Sequence, residues 1–241
     1  MKKLKSFFHI SEEYVLATQQ YKKTDFLLAL LLYLFVLLIY YILGRVFSSD
    51  TVKLTEGFIF IFTGVVSIII IGFTFALCLL RKQKLATIGF DMSKAKQSLK
   101  LGLVLTVIVV LLFGTVIVVS DFSIKTDIPL IVMRFFYYLI DIAFVEELVF
   151  RGYIGTRIYG CFKNKMIAIA VTGVLFVFMH IPAQMVMADM NFLEYISYAW
   201  VNFIFIFLLH FIFQFLYAKY NSIIAPTLFH FAWDYVQWFI V

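Results

Sequence analysis

Residues 57–80 read GFIFIFTGVVSIIIIGFTFALCLL, an apolar run without a charged side chain. A helix needs about 20 such residues to cross the roughly 30 Å of hydrocarbon in a bilayer. The rest of the chain has the same character, because 64% of its 241 residues are hydrophobic, 14% are charged and its mean hydropathy is +1.02. A soluble domain of this length cannot bury so much apolar surface. The sequence therefore predicts a polytopic membrane protein.

Similar apolar runs recur along the chain and predict an all-α transmembrane helical bundle of about seven helices, with eight as the alternative. A β-barrel would instead show short segments of alternating hydrophobicity. The fourth run is longer than a membrane requires, which indicates a kink or a continuation beyond the membrane surface. The predicted spans are residues 25–47, 57–80, 101–120, 131–156, 165–188, 192–217 and 222–241.

Basic residues are concentrated in alternate connections between the predicted spans. Under the positive-inside rule, this alternation places the amino terminus in the cytoplasm of a multi-pass protein of the cell membrane. The residues on the basic side are Lys2, Lys3, Lys5, Lys22, Lys23, Arg81, Lys82, Lys84, Lys94, Lys96, Lys100, Arg157, Lys163, Lys165 and Lys219. The other connections contain Asp50, Lys53, Glu56, Asp121, Lys125, Asp127, Asp189 and Glu194.

Three regions follow from this pattern. Residues 1–24 form a charged cytoplasmic leader that lacks a small-residue cleavage site and is expected to be retained. Residues 25–125 form variable transmembrane helices, and the lysine-rich segment 81–100 is expected to lie on the anionic inner leaflet. Residues 126–241 carry the charged groups that indicate chemistry.

The formal net charge of +6 does not indicate nucleic-acid binding, because the basic residues follow membrane topology and are not interleaved on one face. The two cysteines, Cys78 and Cys161, show no CxxC or Cys/His spacing typical of a metal site. Both are expected to be unpaired.

Charged side chains interrupt the fourth span in the run EELVFR at residues 146–151. An ionisable residue at the bilayer centre costs about 2.5–3.5 kcal/mol on insertion scales, so this run indicates a function. Residues four apart share a helix face, and we therefore expect Glu147 and Arg151 to form an internal ion pair. Glu146 projects about 100° away and has no adjacent cation. That position is typical of a general base.

Further polar groups lie in two later spans: His180 in the fifth, and His230 with Asp234, four residues apart on one face, in the last. The predicted topology places Glu146, His180 and His230 at similar depth, in the middle or cytoplasmic half of the membrane. We therefore expect one wet pocket, open toward the inner leaflet, with the composition of a hydrolytic or metal site.

Other polar residues are interpreted as packing groups. His210 and Asp141 lie singly in apolar surroundings and are expected to join helices, and His9 near the amino terminus has the same interpretation. Arg134 is expected to extend to the outer membrane surface.

Three ordered motifs occur in the second half of the chain. They are Glu146-Glu147-x-x-x-Arg151 followed by Gly152-Tyr153, then Phe176-x-x-x-His180, then Asn221-Ser222-Ile223-Ile224-Ala225-Pro226 leading to His230-x-x-x-Asp234. Together they resemble the CPBP intramembrane proteases, also called the Abi or CAAX-protease-like family. This family includes eukaryotic Ras-converting enzymes and bacterial proteins linked to bacteriocin self-immunity and pheromone maturation. The resemblance covers about residues 130–238, makes residues 126–241 the protease core, and, with the short chain, suggests a bacterial member.

The resemblance implies an endopeptidase that hydrolyses a peptide bond of a small peptide or of the carboxyl terminus of a membrane-associated protein. It assigns water activation to Glu146 and His180, and oxyanion stabilisation to His230 and Asp234. Family members often carry asparagine at the last of these positions, whereas an ionised Asp234 can only accept hydrogen bonds. Asp234 is therefore protonated, or orients His230, or binds a metal.

A divalent metal is an open alternative for the same residues. Histidines with carboxylates, here Glu146, His180, His230 and Asp234, form the ligand set of many zinc hydrolases. However, no His-Glu-x-x-His pair lies on one helix. The sequence leaves glutamate-dependent and metal-dependent peptidases both open.

Functions of other classes compete with hydrolysis. A bacteriocin self-immunity or peptide-binding membrane protein would use the same pocket as a receptor, without catalysis. Proton-coupled transport also uses buried carboxylates, but paired broken helices are not evident. The expected partners are a peptide or membrane-protein substrate and the lipid bilayer.

Overall fold

A computed structural model describes residues 10–120 and 122–240 and confirms the all-α polytopic bundle. The leader residues 1–9, including His9, together with Asp121 and Val241, lie outside the described residues. The described residues form no β-strand. Their helices are α1 (Glu12–Gln19), α2 (Lys23–Phe47), α3 (Glu56–Leu80), α4 (Ala95–Ser120), α5 (Ile128–Cys161), α6 (Lys165–Met187), α7 (Phe192–Tyr220) and α8 (Ile224–Phe239).

Helices α2 to α7 are the six in the described chain that are long and apolar enough to cross a membrane. The seventh predicted span, residues 222–241, forms α8, which has 16 residues. At 1.5 Å per residue, α8 extends about 24 Å, less than the roughly 30 Å of hydrocarbon. Each predicted span thus contains a helix, and the last of them is short.

Helix α5 changes its winding at the charged motif. It begins after Asp127, whose side chain accepts a hydrogen bond from the Leu130 amide at 3.1 Å. Wider π-helical turns occupy Tyr137–Phe144 and Leu148–Gly155, on either side of a short α-helical segment, Val145–Glu147. Such turns are rare and often occur at functional sites. Every residue from 145 to 159 is buried, so the second half of α5 is surrounded by other helices.

Consecutive helices run in opposite directions, so the bundle has two ends. One end is formed by α1 and the connections 81–94, 162–164 and 221–223, and we call it the basic end. The Tyr21 hydroxyl donates to the Thr87 carbonyl at 3.1 Å there. The Lys94 ammonium lies 2.5 Å from Glu13, and this hydrogen bond holds the pKa of Glu13 below its usual value.

The opposite end is formed by the connections 48–55, 122–127 and 188–191. The Ser48 hydroxyl donates to the Val186 carbonyl at 3.1 Å, which joins α2 to the end of α6. The Lys125 amide donates to the Phe239 carbonyl at 3.1 Å and joins the start of α5 to the end of α8.

One expectation about the basic end is wrong. The position of segment 81–100 on the inner leaflet stays a prediction; in the structure Ile88 is fully buried and α4 already begins at Ala95. Arg157 is not in a connection but in α5, where it is fully buried and donates to Gln83 at 2.6 Å. Gln83 in turn donates to Asp25 at 2.8 Å, so these polar side chains satisfy one another inside the bundle.

Candidate active site

The side chains predicted to carry chemistry line one cavity of about 350 Å³. Glu146 comes from α5, His180 from α6, and His230 and Asp234 from α8. Other polar groups in the wall are the hydroxyls of Tyr40 and Tyr138 and the carboxamides of Gln184, Asn202 and Gln237. The remaining wall is aromatic and aliphatic. Groups separated by more than 80 positions in the sequence thus share one space.

Glu147 is fully buried and contacts two nitrogen-bearing side chains. Arg151 Nη1 lies 3.2 Å from Glu147 Oε1, which is the pairing expected from their four-residue spacing. His230 Nδ1 lies 2.9 Å from the same oxygen. Glu147 does not line the cavity, so it connects α5 to α8 from behind the site. The sequence pattern indicated only the contact with Arg151, because the contact with His230 is tertiary.

Two aromatic rings hold Arg151 in place. Its guanidinium carbon lies 4.1 Å from the ring centre of Phe176 and 4.8 Å from that of Phe213. Phe213 also stacks on His230, with ring centres 4.6 Å apart. A guanidinium removed from water gains about 2 kcal/mol from such a contact. The rings therefore fix the ion pair and the imidazole in one arrangement.

The two carboxylate oxygens of Glu146 have different surroundings. The Tyr40 hydroxyl donates to Oε1 at 3.2 Å. The buried Oε2 lies 3.8 Å from His230 Nε2 and accepts no hydrogen bond from the described part of the chain. One oxygen is therefore held by α2, and the other keeps its lone pairs for a further donor.

His180 has a defined tautomer when its ring is neutral. Its Nδ1 lies 2.8 Å from the Phe176 carbonyl oxygen. Because a carbonyl only accepts, Nδ1 carries the hydrogen and Nε2 is the basic nitrogen. Both His180 and Glu146 line the cavity, so this arrangement provides two basic atoms to its interior.

Asp234 lies on the more open side of the site. Its side chain is 29% exposed, and its Oδ2 lies 3.3 Å from His230 Nε2. His230 therefore has a carboxylate near each ring nitrogen, Glu147 at Nδ1 and Asp234 at Nε2.

A metal site was the alternative use expected for these residues. Within residues 10–120 and 122–240, no group of three or more His, Cys, Asp or Glu side chains is placed to hold an ion. The Nδ1 atoms of His180 and His230 face a carbonyl and a carboxylate, respectively, which leaves Nε2 as the nitrogen of each ring that could bind an ion.

The residues interpreted as packing groups lie outside the cavity wall. His210 Nε2 is 3.1 Å from the Ile169 carbonyl oxygen, which joins α7 to α6. Asp141 accepts a hydrogen bond from Thr63 at 3.3 Å. Arg134, expected to extend to the membrane surface, forms an ion pair with Glu56 of α3. Cys78 is buried and Cys161 exposed, and both are unpaired, as predicted.

Sequence reasoning missed several polar residues of the wall. Gln184 and Asn202 stand in apolar helices, and such interruptions are a signal that could have identified them. Tyr40 lies in the run LLIYYILG, where nothing distinguishes it from an ordinary aromatic residue. Its contact with Glu146 became visible only in the fold.

From Glu146, the cavity extends toward the end of the bundle opposite the basic end. Gln184 and Gln237 are in the last turns of α6 and α8, and both helices finish at that opposite end. Toward the basic end, the buried segment 145–159 closes the space below Glu146. This direction differs from the expected opening beside the basic connections. Charge in the connections could not indicate which side of Glu146 the neighbouring helices fill.

Residues 127–236 match a family model described as type II CAAX prenyl endopeptidase Rce1-like. The matched region contains all three motifs. It also contains the four residues predicted to carry chemistry, which are Glu146, His180, His230 and Asp234. This region is therefore similar to the CAAX-protease family. The chain is a multi-pass membrane protein, and this part of it resembles a family of membrane endopeptidases. No curated protein and no solved structure matches it. Tyr40 lies outside the matched region, so α2 contributes to the site from a part of the chain that the family model does not cover.

Proposed function

We propose that this protein is an intramembrane endopeptidase that hydrolyses a peptide bond without a metal, with Glu146 as the base that activates water. The observation that carries the proposal is the convergence of Glu146, His180, His230 and Asp234 on one cavity within the family region. A cavity of about 350 Å³ accommodates a short stretch of peptide. The substrate class is a small peptide or the terminal segment of a membrane-associated protein.

Water activation is assigned to Glu146 and His180. The free Oε2 of Glu146 takes a proton from the water while the water oxygen attacks the scissile carbonyl carbon. His180 Nε2 accepts a second hydrogen bond and orients the water. When the C–N bond breaks, Glu146 gives its proton to the leaving amine. A site screened from bulk water strengthens these electrostatic effects.

Oxyanion stabilisation is assigned to His230. A carboxylate near each ring nitrogen favours the doubly protonated ring, because each N–H then has an acceptor. The positive ring lies beside the carbonyl oxygen as that oxygen becomes negative. Among the three roles open to Asp234, this geometry favours an acceptor that orients His230.

A direct assay tests the proposal. The purified protein in proteoliposomes is incubated with a diverse peptide mixture, and products are read by mass spectrometry. We expect pairs of fragments whose summed mass equals one parent peptide plus one water, and we expect none with Glu146→Gln. If the folded wild-type protein binds peptides and yields no such pairs, the protein is a receptor and the proposal fails.

Removal of divalent metal is expected to leave turnover unchanged, because the described side chains do not form an ion-binding group. The protein is dialysed against a strong chelator, its zinc content is measured by elemental analysis, and cleavage of a peptide selected in the assay above is followed. Metal-free protein that is inactive and recovers on addition of zinc would establish a metallopeptidase instead.

Tyr40→Phe is expected to lower kcat about 10-fold while KM stays unchanged. The substitution keeps the ring and removes the hydroxyl that holds Glu146 Oε1, and a hydrogen bond to a charged group contributes about 1.5–3 kcal/mol. Tyr40 is thus a positioning residue that acts through Glu146.

The control is Tyr41→Phe, which changes the exposed neighbouring tyrosine on α2. Both variants are compared for kcat, KM and melting temperature. A Tyr40→Phe protein with the kcat of Tyr41→Phe would show that the hydroxyl does not position Glu146.

A further inference from the structure

We infer that the peptide reaches the active site from the end of the bundle opposite the basic end, so that the substrate is a segment presented on the non-cytoplasmic face of the membrane. This inference rests on the proposed peptidase function and adds to it the location of the substrate.

The position of the lining residues along their helices gives the direction of access. Tyr40 lies two turns before the end of α2, and Gln184 and Gln237 lie in the last turns of α6 and α8. All three helices end at the opposite end of the bundle. Asn202 lies in the half of α7 that begins at that end. The wall therefore extends from Glu146 in one direction only.

The other direction is closed by the core. Phe150, Tyr153 and Ile154 of α5 are fully buried, and so is Tyr14 of α1, which lies across the basic end. Tyr14 packs against Tyr159 with ring centres 5.0 Å apart. A peptide entering from the basic end would have to displace this packing.

Charge in the connections orients the bundle. The basic end carries most of the lysines and arginines of the described connections, whereas the opposite end carries Asp50, Asp127, Asp189 and Glu194 among its charges. The positive-inside rule places the basic end in the cytoplasm. The end of the bundle toward which the cavity extends is then on the non-cytoplasmic side.

A second cavity indicates how a peptide extends from the site. It is a shallow surface depression along the first half of α7, and it shares Asn202 and Phe205 with the active-site cavity. The Tyr195 hydroxyl donates to Gln184 Oε1 at 2.5 Å and joins the two walls. Backbone amides that leave water need partners, and the carboxamides of Gln184 and Asn202 provide donors and acceptors for an extended peptide.

Cysteine accessibility tests the inference without requiring catalysis. Cys161 is exposed at the basic end and serves as the native reporter, while Cys78 is buried. In a Cys161→Ser background, Asn202→Cys reports the cavity and Asp189→Cys reports the opposite end. A membrane-impermeant maleimide is applied to intact cells and to inside-out vesicles.

We expect Asn202→Cys and Asp189→Cys to react in intact cells, and Cys161 of the native chain to react only in inside-out vesicles. Reaction of Asn202→Cys only in inside-out vesicles would overturn the inference, as would reaction of Cys161 in intact cells. Failure of Asn202→Cys to react from either side, while Asp189→Cys reacts, would also overturn it, because the cavity must be reachable.

A peptide-cleavage assay, performed beside the labelling experiment, separates this inference from the proposed function. If Glu146→Gln still cleaves peptides, the peptidase assignment fails whatever the labelling pattern. If Asn202→Cys reacts only from the side of Cys161, the location of the substrate is wrong and the peptidase assignment stands.

Discussion

Glu146→Gln is expected to lower kcat about 10²- to 10⁴-fold, the range that a general base contributes. Glutamine keeps the size of the side chain and its acceptor for the Tyr40 hydroxyl, but it cannot take the proton from water. Because the chemical step is lost and the cavity is kept, KM should change little. The measurement is turnover of a selected peptide by purified protein in proteoliposomes.

The matched control is Glu12→Gln, which changes an exposed glutamate in α1 at the basic end. Its kcat should equal that of the wild type. Both variants should melt near the wild-type temperature, which excludes unfolding as the cause of lost activity. Substantial turnover by a folded Glu146→Gln protein would remove Glu146 from the role of base.

Arg151→Met is expected to lower the free energy of unfolding by about 3–5 kcal/mol, because removing one partner of a buried ion pair leaves the other charge uncompensated. Glu147 has no exposed side-chain surface, and losing Arg151 leaves its charge without this partner. Methionine also loses the contacts of the guanidinium with the rings of Phe176 and Phe213. The measurement is unfolding in detergent micelles, followed by intrinsic fluorescence.

Arg45→Met is the matched control, since Arg45 is exposed in the last turn of α2. It should shift stability little. The double variant Glu147→Gln/Arg151→Met should be more stable than Arg151→Met alone, because it also removes the buried carboxylate that has lost its guanidinium partner. Additive losses in the double variant would contradict the ion-pair explanation.

The helical bundle was predictable because lipid imposes a strict requirement on composition and length. The same reasoning did not predict that α8 is short or that α5 contains π-helical turns beside Glu146. Hydropathy reports the apolar content of a segment and not the winding of its backbone. Arg157 was wrongly predicted to lie in a connection. Its partner Gln83 lies in a distant connection, and the sequence pattern does not reveal such a tertiary contact.

The principal side chains of the candidate site were predictable because charged groups inside a membrane are costly and therefore rare. Their arrangement was not predictable, as the contact of His230 with Glu147 shows. Tyr40 could not be found from sequence, since an aromatic residue in an apolar helix is ordinary. The direction of the cavity could not be found either, because it depends on which side of Glu146 is filled by the packing of α5.

Hydrolysis by a water activated at Glu146 is tested most directly by a single turnover in H₂¹⁸O with metal-depleted protein and a selected peptide. The new carboxyl group of the amino-terminal fragment is expected to contain one ¹⁸O atom with the wild-type protein, and no fragment should form with Glu146→Gln. Fragments without ¹⁸O, or the same labelled fragment from Glu146→Gln, would contradict the assignment of Glu146 as the base of a peptide-bond hydrolase.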